Sequence, residues 1–183
     1  MRRASASCSA SAAALLAGML ITVLLGSGQQ AVAATTAAPA STNGVATAEA
    51  AYRAVSDFRV QSRQDLSGFL TKYGGRLTAE QNARANALAA QADMTLAQLE
   101  AKTRATRSLA RAGASSARIR RAAVDANVAY EAAAAATAAA LAEFQPLLQD
   151  KLSLFEGFQA KLDLDTSLRD FADVGAAVKA VRP

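Results

Sequence analysis

The chain has 183 residues, with 20 Lys and Arg against 15 Asp and Glu, no histidine, no tryptophan and a single cysteine, Cys8. Without imidazole and with its one thiol near the start, it offers no histidine general base, no Cys–His nucleophile and none of the commonest transition-metal ligand sets. Alanine makes up about a quarter of the residues and arginine outnumbers lysine, the usage of a GC-rich bacterial genome.

The first residues predict an export signal. Met1-Arg2-Arg3 gives a positive start, Ala12 to Leu25 is almost wholly apolar, and small residues follow at Ala31, Ala33 and Ala34. An apolar run of about 14 residues falls short of the roughly 20 a spanning helix needs, so cleavage near Ala34 or Thr35 is expected rather than retention as an anchor. Cys8 precedes the apolar core, which is the wrong side for a lipid-attachment cysteine. Ala4-Ser5-Ala6 lacks the bulky apolar residues of a twin-arginine signal, leaving ordinary secretion. Residues 1–34 are thus read as a cleaved secretory signal peptide. Residues 35–44, TTAAPASTNG, are read as a flexible leader, and 45–183 as a single alanine-rich helical domain. Removing Arg2 and Arg3 with the signal lowers the formal net charge from +5 to +3.

Helical periodicity starts near Val45. Tyr52, Val55, Phe58, Leu66, Phe69 and Tyr73 recur at helical spacing, and Gly74-Gly75 stops the helix, with a left-handed end expected there. Thr78 and Gln81 have capping-box spacing and open a second helix. Its seam is Ala85, Leu88, Ala92, Leu96, Leu99, Thr103, Thr106 and Ala110, and Gly113 ends it. Ser115 or Ser116 caps a third helix, whose seam of Ile119, Ala123, Ala126, Tyr130, Ala133, Thr137, Ala140 and Phe144 steps by fours and threes without a slip. Pro146 predicts a kink or restart, because it has no amide to donate and its ring crowds the preceding turn. Beyond it the seam shifts to Leu148, Leu152, Phe155 and Leu162. Asp163 and Asp165 are the expected caps of a last helix over about Thr166 to Val181, with Leu168, Phe171, Val174 and Val178 on its inner side.

No stretch alternates with period two. The expected fold is all-α: an antiparallel three- to four-helix bundle with long helices, the third kinked near Pro146. Residues Tyr130 to Phe144, uncharged between Glu131 and Glu143, need cover, and the small seam of the third helix would let its neighbours approach closely.

The most asymmetric feature is a basic run around the turn between the second and third helices. From Lys102 to Arg121 it contains no acid. Arg107, Arg111, Arg118, Arg120 and Arg121 are the candidate anion-binding residues. Cations at the end of a helix are favoured, but Arg118 and Arg120 fall at the start of one, where a positive charge costs about 0.3 to 1 kcal/mol. Clustered arginines match phosphate geometry. An anionic envelope polymer or lipid surface is therefore the expected partner. Nucleic acid is not expected, since no aromatic residue lies between Tyr73 and Tyr130 for bases to stack on. Acids gather late in the chain, at Glu143, Asp150, Glu156, Asp163, Asp165, Asp170 and Asp173, predicting an electrically polar molecule.

Asp163-x-Asp165-x-Ser167 opens like a calcium loop, but Leu168 and Val174 stand where glycine and glutamate are required. No cofactor and no metal are expected, and without G-x-S-x-G or S-x-x-K motifs no enzymatic activity is expected either. The reading is a secreted, non-enzymatic binding protein of the bacterial exterior, with a protein partner or a homo-oligomer also allowed by its heptads. The alternative is an extracellular carrier of a hydrophobic ligand or haem between helices, with Tyr52, Tyr73 and Tyr130 lining the pocket.

Overall fold

A computed structural model describes residues 42–149 and 151–182, without the side chains of 144 and 146–149. The expected signal segment and most of the leader lie outside the described residues. Those residues form four helices: α1 Thr42–Tyr73, α2 Ala79–Arg111, α3 Ser116–Gln149 and α4 Leu154–Lys179.

Most boundaries follow from local chemistry. Thr78 caps α2 through the expected box: its Oγ1 accepts from the Gln81 amide at 3.2 Å, and Gln81 Oε1 accepts from the Thr78 amide at 2.9 Å. Gly113 closes α2 with φ of 65°, a left-handed conformation that glycine adopts without the Cβ penalty. The Ser115 carbonyl accepts from the Arg118 and Ile119 amides at 2.9 and 3.1 Å, setting α3 on its way at Ser116.

Three expectations are corrected. α1 begins at Thr42 rather than Val45, with Gly44 buried inside it, and it ends through a 3-10 turn over Gly74–Arg76 instead of a left-handed glycine. α3 runs on to Gln149 without restarting at Pro146; the proline removes only its own bond to the carbonyl four residues earlier, and three residues of helix follow it. The last helix starts twelve residues before Thr166, at Leu154. Its N-cap is Ser153, which forms a capping box with Glu156, so Asp163 and Asp165 lie exposed within α4 and cap nothing.

The helices follow one another around a ring in chain order, α2 packing most closely against α3 and α1, and α4 lying against α1 and α3. At 1.5 Å per residue α1 to α3 are each about 50 Å long. One end of the bundle holds the start of α1, the turn between α2 and α3, and the end of α4; we call it the near end. There Ala48, Ala110 and Ile119 are buried together, with Val45, Leu109, Ala114 and Val181 packed around them. The central core joins Ala51, Val55, Leu96, Leu99, Ala126, Ala133, Phe171, Val174 and Val178.

The alanine seam of α3 is therefore covered from Ala123 to Ala133, with Thr137 and Ala140 half-buried beyond it, and its small side chains admit larger partners. Phe171 stacks on Phe58 at 5.0 Å between ring centroids and meets Tyr130 at 5.1 Å. Gly175 lets the Tyr130 ring rest on bare backbone of α4, where an added Cβ would come within 2.8 Å of Tyr130 Cε1 and nearer still to its Cζ. Thr103 and Thr106 enter the seam of α2 because their hydroxyls donate to the carbonyls of Leu99 and Lys102, at 3.1 and 2.9 Å, leaving the methyl groups to pack.

A charge network fixes α1 against α2. Arg59 donates through Nε and Nη2 to Asp93, at 3.0 and 3.1 Å, and through Nη1 to Glu100 at 2.8 Å. Arg63 adds a second bidentate contact to Asp93 at 2.7 and 2.8 Å. The two guanidiniums hold the Asp93 carboxyl well below its usual range, the Arg63 bonds contributing most.

Past the centre, the expected continuation of the seam fails. Phe155 is 77% exposed, and Leu162 and Leu168 also face solvent, because α4 packs inward through Ala160, Phe171, Val174 and Val178 instead.

Candidate functional site

The near end carries the basic run, and the fold sorts its cations by the face each helix presents. Ala110 and Ile119 point inward and anchor the turn, with Leu109 packed against them. Lys102, Ala105 and Leu109 of α2 face Ala117, Arg118, Arg121, Ala122 and Asp125 of α3 across an open cleft of about 450 Å³. Arg118 and Arg121 share that face because they are three residues apart on a helix.

Arg107 and Arg111 are drawn to the other side, onto α1. The Arg107 guanidinium lies 3.8 Å above the Tyr52 ring and 3.8 Å from Glu49 Oε1. Arg111 Nη2 approaches Glu49 Oε2 to 2.6 Å, a charge contact that lacks hydrogen-bond alignment. Arg53 Nε donates to the same carboxylate at 3.3 Å. Glu49 is thus the counter-ion of two candidate arginines, and it was not among the residues expected in the site.

Arg118, Arg120 and Arg121 are exposed, and among the described residues no carboxylate comes within ion-pair reach of any of them. The first turn of α3 contains no acid to offset Arg118 at the positive end of the helix. Arg120 is not among the residues lining the cleft that Arg118 and Arg121 share. Lys102 belongs with those two, its Nζ lying 4.0 Å from Asp125 Oδ2 at the cleft rim. The expected five-arginine cluster is two groups: Arg107 and Arg111, which share Glu49, and Arg118, Arg120 and Arg121, with no acid in reach among the described residues.

The acidic half is also less one-sided than its sequence. Glu143 is met by Arg84 of α2, and Glu156 accepts from Arg76 Nη2 at 2.6 Å. That bond and those with Ser153 lower the Glu156 carboxyl to about 2. Asp170 and Asp173, on α4, return toward the near end with Lys179 and Arg182.

The three tyrosines do not converge. Tyr52 and Tyr73 stand 21 residues apart on α1, roughly 32 Å along its axis. Tyr73 is buried beside Phe69, at 4.9 Å between ring centroids, and Tyr130 packs on Phe171 and Gly175. Tyr52 lies beneath Arg107. Among the described residues no group of His, Cys, Asp and Glu is placed to hold a metal ion, and no helix is long and apolar enough to cross a membrane. Comparison with known proteins finds no matching family model, no matching curated protein and no matching solved structure.

Proposed function

We propose that the protein is a secreted, non-enzymatic binding protein of the bacterial cell exterior whose near end contacts an anionic envelope polymer or lipid surface. The observation that carries this reading is the contrast between arginines. Arg107 and Arg111, facing α1, share Glu49 as a counter-ion, whereas Arg118, Arg120 and Arg121 stand exposed near a helix start with no acid in reach among the described residues. Charge left unmatched at a disfavoured position is accounted for by a ligand that matches it. With Lys102, the cleft offers fixed cations between two rigid helices, and its single carboxylate, Asp125, sits beside that lysine. Such a surface can hold phosphate-bearing groups without performing a reaction on them.

Sedimentation with isolated envelope fractions tests the reading. The wild type should co-sediment at low salt and be released as ionic strength rises, since exposed charges are screened beyond about 10 Å at 0.1 M. The triple change Arg118→Ser, Arg120→Ser, Arg121→Ser should abolish binding while leaving the helical fold intact. Equal binding by wild type and variant would remove the proposal.

A further inference from the structure

The cleft between α2 and α3 at the near end is a pocket as well as a charged surface. Its volume of about 450 Å³ falls within the range of small-molecule sites, about 300–1,000 Å³. Leu109 and Ala122 line it and are half-buried, and Ala105 and Ala117 extend that apolar wall toward solvent. The charged residues of the cleft are all exposed. Among the residues that line it there is no hydroxyl, amide or aromatic side chain.

Lys102 Nζ and Asp125 Oδ2 lie 4.0 Å apart, so these two charges offset each other. What remains is the pair of guanidiniums of Arg118 and Arg121. Three residues apart on α3, they have Cβ atoms about 5–6 Å from each other, near enough for both forks to engage one phosphate.

We infer that the cleft takes the head of a single phosphomonoester lipid, with its phosphate between Arg118 and Arg121 and the first carbons of its chain against Leu109 and Ala122. This inference rests on the proposed anion contact and names its ligand. Charge is the first reason. A phosphomonoester carries about −1.5 to −2 at pH 7, matching the two guanidiniums, whereas a phosphodiester brings a single negative charge. The wall of the cleft is the second. A polyol or glycan phosphate would press hydroxyl groups against apolar side chains, with only Asp125 to accept from them, and hydroxyls buried without a partner are costly. An alkyl chain loses no hydrogen bond there and gains by leaving water.

Competition against isolated envelope fractions tests this on the wild type. Dodecyl phosphate, kept below its micelle concentration, should release the bound protein at a concentration at least about tenfold lower than methyl dodecyl phosphate, its diester, or inorganic phosphate. Calorimetry should show one dodecyl phosphate per chain and a negative heat-capacity change, the mark of apolar burial. Ala105→Gln narrows the cleft without altering its charge and, because Ala105 is exposed, should leave the circular dichroism spectrum unchanged. It should weaken dodecyl phosphate by about tenfold or more, and Arg118→Ser with Arg121→Ser should abolish binding. Equal release by monoester and diester, inorganic phosphate as effective as dodecyl phosphate, or variants that bind as the wild type does would overturn the inference. Envelope binding that is lost with the triple arginine change yet ignores dodecyl phosphate would also overturn it, while leaving the anion contact in place. Calorimetry reads the cleft even if the protein never co-sediments with envelope, so the two proposals fail separately.

Discussion

The two ends of this bundle are built from the same helices and reach opposite solutions. At the near end and the centre, four helices converge and side chains of every size are sealed, from Ala48 to Leu99. At the far end α4 has only begun, and its first two turns turn their largest side chains outward. Helical periodicity does not by itself say which side will be covered. The near end shows what burial demands: small residues where helices approach, hydroxyls returned to their own backbone, and Glu49 shared between Arg107 and Arg111. The far end shows what is left where, among the described residues, no further helix lies over α4.

Point changes can sharpen that contrast. Leu99 is 0% exposed, so Leu99→Ala should lower unfolding free energy by about 2–5 kcal/mol, whereas Leu154→Ala, at the open end, should stay within about 0.5 kcal/mol. Urea titration of both variants, at a concentration low enough to keep the protein monomeric, reads the difference. Equal losses would mean that the two ends are not differently packed. Gly175→Ala should cost about 1–3 kcal/mol through its collision with Tyr130, and adding Tyr130→Ala should remove that collision, so that the two changes are far from additive.

Asp93→Asn should cost about 1–2 kcal/mol at neutral pH, by weakening two charge-assisted bidentate contacts. The sign of its pH dependence follows from the lowered Asp93 carboxyl. Its contribution is complete above the unfolded value, near 3.8, and is lost as pH falls through the still lower folded value. The gap between wild type and variant should therefore be constant from pH 7 to 5 and narrow steadily below about pH 4. A gap that widened in acid would show that the network is not what Asp93 contributes. Smallest of the set, Ser153→Ala should cost about 1 kcal/mol by removing the α4 cap, and hydrogen exchange should place the loosening in the first turn of α4 and not at the near end.

The sequence read well wherever a rule of spacing met a rule of termination. The seams of α2 and α3 and the Thr78 box emerged because heptads, capping pairs and Gly113 all pointed the same way. The α4 start was missed although Ser153-x-x-Glu156 is as clear a box as Thr78-x-x-Gln81; Pro146 and the two aspartates drew the boundary elsewhere. Glu49 and Lys102 were missed as parts of the site for a different reason. Which charges meet across antiparallel helices depends on register, and register becomes readable only once the turns are fixed. Lys102 lies ten residues before Ala112 and Asp125 ten after Ser115, while Arg59 and Asp93 stand fifteen residues either side of the Gly74–Thr78 turn. Counting outward from each turn would have found both pairs. The exposed face of α4 had no such signal, since apolar residues at helical spacing look alike whether a neighbour covers them or not.

Native-state hydrogen exchange on dilute, monomeric protein tests the central claim most directly. Amides from Ala123 to Ala133, on the covered seam of α3, should exchange only through global unfolding, far more slowly than those from Phe158 to Leu162 on the open half of α4. Exchange from Ala123 to Ala133 as fast as from Phe158 to Leu162 would mean that the alanine seam is not enclosed, and the architecture described here would be wrong.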